Sequence, residues 1–256
     1  MVLIASANIS AEAQSLGDIK SLLDKSTNLV PATANGSGGG IVALGQDEVV
    51  RGLKEALDKG IRNAIASLGQ TNGFMTNVAV KIPLPEKLQK METTLRLAGH
   101  AELADDFVVS MNRAAEQAVP VAIDVFVTAM SQMTIADGKA ILSGPNDAAT
   151  KYFQRTTQTN LQAKFLPLVK KATDSVGVTA KYKAMTGQFD TLNSIGSFFG
   201  SKKKLEFKLD DVDAYVTEKA MDGLFFMIAE KEKAIRQNPV ARTTDLLQKV
   251  FGAAGK

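Results

Sequence analysis

With 256 residues, 45% of them hydrophobic and 22% charged, the chain can bury a core in one or two domains, which excludes disorder as its default state. It has no cysteine, so disulfide frameworks and thiolate metal sites are excluded, and it has a single histidine, His100, for which the sequence places no nucleophile or acidic orienter. The net charge of +3 is unevenly spread, because residues 151–204 hold ten Lys/Arg against two Asp/Glu.

Residues 1–42 read as a leader or flexible linker. Leu16, Ile19, Leu22 and Leu23 have helical spacing, but Pro31 and the Asn-Gly-Ser-Gly-Gly-Gly run at 35–40 predict a linker. That run is not a phosphate loop, since no Lys-Ser/Thr follows it. The apolar start at residues 1–5 is too short for a signal-peptide core and lacks a basic segment before it.

From 43 to 254 the pattern predicts one all-α, bundle-like domain. Val49, Val50, Leu53, Leu57, Ile61, Ile65 and Leu68 recur at helical spacing, and Gly69 ends the run. Residues 71–85, with Asn72-Gly73 and a Pro-Leu-Pro, predict a loop running extended through Val78, Val80 and Ile82. A helix over 84–97 ends near Gly99, and His100 reads as a cap residue on the solvent side. The next helix, 101–118, turns Phe107, Val108, Met111 and Ala115 inward. Asn112, Arg113 and Glu116 lie beside that face, either lining a polar pocket or, for the last two, forming an i,i+3 ion pair.

Pro120 opens a helix reaching Met133, and Thr134 with Asp137 forms a cap signal for a short helix to Leu142. Residues 143–147 stop it and start a helix carrying Tyr152, Phe153 and Arg155. A further amphipathic helix, 161–176, is expected to kink at Pro167. Lys164, Lys170 and Lys171 lie on it, Lys181 and Lys183 on a helix over 179–189, and Lys202, Lys203 and Lys204 follow Phe198-Phe199 in a loop. Leu205, Phe207 and Leu209 alternate as a short extended segment would.

The stretch 208–251 is the organising element. Asp210, Asp211 and Asp213 precede, and Lys231, Lys233 and Arg236 follow, an apolar run at 223–229, which is the charge order a helix dipole favours. Such a helix, spanning about 210–236, is expected to be enclosed on all sides at its middle. Asn238 and Pro239 then cap a second helix carrying Val240, Leu246, Leu247, Val250 and Phe251.

The segments QDEVVRGLKEAL (46–57), VKIPLP (80–85), SMNRAAE (110–116) and AILSGPNDAATKYF (140–153), with the stretch 215–251, together resemble the DUF4197 family over about 43–251. That resemblance implies a mostly α-helical, bacterial protein in a periplasmic or extracellular setting, and brings no catalytic residues with it.

No catalytic, cofactor or metal motif stands out. The leading expectation is a non-enzymatic binding or structural protein whose basic region meets an anionic surface such as lipid headgroups, polysaccharide or mineral. That surface would use Lys164, Lys170, Lys171, Lys181, Lys183, Lys202, Lys203 and Lys204. An apolar small ligand among the helices is a further expectation. The alternatives are a hydrolase-like enzyme with Glu218, Asp222 and Arg242 near the central helix, and a self-associating scaffold forming homo-oligomers. Sequence-specific nucleic acid fits poorly, with 6% aromatic residues and no tryptophan. Residues 119–133, the longest weakly polar run past the N-terminal arm, fall short of the roughly 20 needed for a membrane span.

Overall fold

A computed structural model describes residues 45–196 and 209–238, all within the unit formed by residues 44–256. The expected N-terminal linker, the loop with Phe198, Phe199, Lys202, Lys203 and Lys204, the alternation at Leu205 and Phe207, and the second helix after Pro239 with Arg242 lie outside the described residues. Within them the chain is all-α. Its helices are α1 (Gln46–Gly69), α2 (Gln89–Leu97), α3 (Ala101–Ala118), α4 (Ala122–Gln132), α5 (Ile135–Ser143), α6 (Ala148–Ser175), α7 (Val178–Gly196) and α8 (Leu209–Gln237). Short 3-10 turns, Glu86–Leu88 and Val119–Val121, lead into α2 and α4. Among the described residues no single helix is long and apolar enough to cross a membrane.

α8 is the central element. It buries Val212, Val216, Ala220, Met221, Leu224, Phe225 and Ile228, packs along α6, and also meets α1 and α3. Phe126 of α4 joins α6 to α8, with its ring edge-on to Phe153 at 5.4 Å and to Phe225 at 6.0 Å. Removing the Leu224 side chain from such a site typically costs about 2–5 kcal/mol. The expected enclosure is incomplete, because Phe226 is 43% exposed and Met227 only half-buried. One turn of α8 is covered on its core side only, so the apolar run fills a stripe and leaves a rim.

Three local expectations change. First, residues 71–80 are coiled into turns, closed by Thr76 N–H to Asn72 O at 3.1 Å and Lys81 N–H to Asn77 O at 2.8 Å, and the chain extends only from Lys81. Asn72 makes this possible by adopting φ +69°, a left-handed conformation that asparagine tolerates. Val78 is consequently 94% exposed while Val80 and Ile82 are buried. Second, α6 runs unbroken through Pro167, joining two expected helices. The carbonyl that loses its partner there belongs to Ala163 on the exposed side, where water can replace the missing N–H. Third, Leu209 opens α8 rather than closing an extended segment.

Candidate functional site

Asn112, Arg113 and Glu116 project from α3 against the coil of residues 72–82. The Asn112 side-chain oxygen accepts from Ile82 N–H at 2.9 Å while its amide donates to Ile82 O at 2.9 Å and to Val108 O at 2.8 Å. Glu116, 3% exposed, accepts from Phe74 N–H at 3.2 Å and from Arg113 at 2.6 Å. Arg113 continues to Asn72 Oδ1 at 2.8 Å. The sequence offered a polar pocket or, for Arg113 and Glu116, an i,i+3 ion pair. The ion pair forms at 2.6 Å with Glu116 buried, and it belongs to a clamp in which these side chains replace the backbone partners that a coiled segment lacks.

Sequence reasoning missed a second buried carboxylate. Glu232 of α8, 5% exposed, accepts from the Ala149 and Thr150 N–H groups and the Thr150 hydroxyl, each at 2.9 Å, at the start of α6. Arg236 pairs with it at 2.8 Å and donates to Ile141 O at 2.7 Å near the end of α5. The start of α6 therefore holds an anionic group, and that group is a carboxylate of the protein itself. In sequence, Glu232 and Arg236 look like one more i,i+4 surface pair, and only the packing of α8 gives them depth.

The remaining named carboxylates lie elsewhere. Glu218 and Asp222 are exposed on α8 and line a cleft of about 390 Å³ against α6. Its other described walls are Gln154, Gln158, Gln162 and Leu166 of α6, with Ala214, Thr217, Met221 and Phe225 of α8. None of Asn112, Arg113 and Glu116 is among them, and Arg242 is outside the described residues. α6 and α8 run antiparallel. Thr173 bonds Asp213 at 2.7 Å at one end and Thr150 bonds Glu232 at the other, a register that sets Gln162 opposite Asp222 and Leu166 opposite Glu218. The three glutamines escaped notice because they are neutral, yet their i,i+4 repeat was visible as a stripe on one helix face.

Asp222 bonds Lys219 at 3.1 Å, and that contact raises the lysine above its ordinary pKa. Beside them Tyr215 donates to Pro83 O at 3.1 Å, and burial pushes its hydroxyl above the usual tyrosine range.

The described lysines of the basic region named from the sequence lie on two helices. Lys164, Lys170 and Lys171 are exposed on α6. Seven residues separate Lys164 from Lys171, so they lie roughly 20° apart around the axis, while Lys170 is about 100° from Lys171. On α7, Lys183 is exposed and Lys181 pairs with Asp106 of α3. His100 precedes α3 as the sequence indicated, with Nε2 3.0 Å from Gln188 Nε2 of α7. Among the described residues no three His, Asp or Glu side chains converge as metal ligands do.

No curated protein and no solved structure matches this chain. A family model described as a protein of unknown function (DUF4197) matches residues 43–252, most of the chain. The helical segments that build both clamps and the cleft fall inside that match, and the chain belongs to the DUF4197 family.

Proposed function

We propose that this chain is a binding protein rather than a catalyst, and that its ligand occupies the cleft between α6 and α8. The observation that carries this reading is the lining itself: three amides and two carboxylates on the rims, over an apolar floor of Met221 and Phe225, with Leu166 exposed at its edge. Small-molecule sites combine apolar walls with a few polar groups in this way. A hydrolase reading draws less support, because Glu218 and Asp222 stand in water, and the buried carboxylates Glu116 and Glu232 are fully engaged in holding backbone. Met221 supplies the test. With ¹³C-methyl methionine, a panel of polyamines, sugars, amino acids and fatty acids is titrated while the Met221 methyl signal, assigned by Met221→Leu, is followed. A saturable shift with one class supports the cleft, and no shift with any class overturns it.

A second reading rests on Lys164 and Lys171, whose ammonium groups share an exposed strip of α6 flanked by Lys170. Such a strip attracts an anionic surface at long range and loses that attraction with salt. Cosedimentation with phosphatidylglycerol vesicles that falls with ionic strength, and falls again in a Lys164→Gln/Lys171→Gln variant, supports it. Retention indifferent to both removes it.

A further inference from the structure

We infer that the ligand of the α6/α8 cleft is a linear aliphatic polyamine, an inference that rests on the cleft being the binding site. The argument begins with charge. The ten described lining residues include two carboxylates and no cation. Lys219, outside the lining, bonds Asp222 at 3.1 Å and offsets part of that negative charge.

Spacing narrows the class. Glu218 and Asp222 are one helical turn apart, about 6 Å along α8, and Gln154, Gln158 and Gln162 repeat at the same interval along α6. The antiparallel register pairs Asp222 with Gln162 and continues to Gln158 beside Phe225. Oxygen acceptors therefore recur in a row, with a carboxylate at two positions and an amide oxygen at the rest. A chain of ammonium groups separated by three or four methylenes has a similar repeat, and its methylenes lie along Met221, Phe225 and Leu166. A compact inorganic cation would gather acceptors at one point, and here they are strung out. A sugar would satisfy the amides but bring no counter-charge to Glu218.

The test uses the full chain and spermidine as the probe, with n-butylamine and magnesium chloride at matched ionic strength as controls. Isothermal titration calorimetry is expected to show saturable spermidine binding, with n-butylamine and magnesium each at least tenfold weaker. Glu218→Gln/Asp222→Asn is expected to weaken spermidine at least tenfold, and Gln158→Ala severalfold, with thermal midpoints confirming that both variants fold. Equal binding of magnesium, or spermidine affinity unchanged in the double variant, overturns the inference. The Met221 methyl signal separates the two failures. If spermidine leaves it unmoved while a sugar or another solute shifts it, the polyamine assignment falls and the cleft stands. If nothing shifts it, both fall.

Discussion

Glu232 and Thr150 are 82 residues apart in sequence, yet one carboxylate oxygen accepts from both the backbone N–H and the hydroxyl of that threonine. Together with Ala149 N–H and Arg236, the contact ties the end of α8 to the start of α6 and the end of α5. Glu232→Ala strips the helix start of its acceptor and takes the carboxylate away from a guanidinium that is 10% exposed and keeps carbonyl partners such as Ile141 O, and breaking such a buried pair costs about 3–5 kcal/mol. Glu232→Gln keeps one acceptor and is expected to cost about 1–3 kcal/mol. Urea unfolding of the two variants checks the order, and equal losses would mean that the neutral acceptor kept by glutamine contributes nothing and the carboxylate's charge carries the tie.

Asn112 occupies the other junction, where one amide satisfies both the N–H and the carbonyl of Ile82. Asn112→Ala leaves both groups buried without a partner and is expected to destabilise by about 2–4 kcal/mol. Asn112→Asp is isosteric and more informative. Its carboxylate would face the Ile82 and Val108 carbonyl oxygens, which disfavours ionisation in the folded state and raises the pKa there. That variant should be least stable above its raised folded value and regain stability as the pH falls through that value towards the unfolded pKa near 4. A pH-independent loss would show that the aspartate escapes both carbonyls.

What could be read in advance follows from these two junctions. Helical periodicity gave the all-α class, because the positions of Leu53, Ile61, Phe107, Met111, Leu224 and Ile228 repeat with the helix itself. The coil at 71–80 misled, since Asn72-Gly73 announces a turn but does not say that further turns follow it. Both clamps were hidden for a different reason. A carboxylate one turn from an arginine has the same sequence signature at the surface and in the interior, and burial depends on which helix passes over it. The cleft was half legible. Its two carboxylates were singled out, but the facing glutamines belong to a helix whose register against α8 is set by contacts 40 and 82 residues apart in sequence.

The start of α5 carries a measurable pH signature. Thr134 and Asp137 form a reciprocal capping box, in which the carboxylate accepts from the Thr134 hydroxyl at 2.6 Å and its N–H at 3.0 Å. Those bonds, the hydroxyl first, hold the Asp137 carboxyl below its ordinary range. A depressed folded value means that the stabilisation is present above the unfolded pKa near 4 and is lost as pH falls through the lower folded value. Thr134→Ala is expected to cost about 1 kcal/mol at neutral pH and to flatten the acid limb of the stability curve below about pH 4. Thermal unfolding from pH 2 to 6 compares the two proteins, and parallel curves would exclude the box as the source.

Gly223 lies in the middle of α8, where an alanine would ordinarily favour the helix by about 1 kcal/mol. A Cβ at that position would sit 2.9 Å from Phe74 Cε1 and 3.2 Å from Val80 Cβ, so the glycine is what lets the coil of residues 71–80 lie against α8. Phe74 is fully buried and its ring has little room to retreat. Gly223→Ala is therefore expected to destabilise by about 1–3 kcal/mol, reversing the sign given by helix propensity. Gly187, with nothing within 4 Å of a built Cβ and no positive φ, is the control on α7, where alanine should stabilise by about 0.5–1 kcal/mol. Combining Gly223→Ala with Phe74→Leu should cost less than the two losses added together, because the smaller side chain vacates the space that the methyl needs. Strict additivity in that cycle would show that the ring and the glycine do not constrain each other, and the close approach of the coil to α8 would then need another cause.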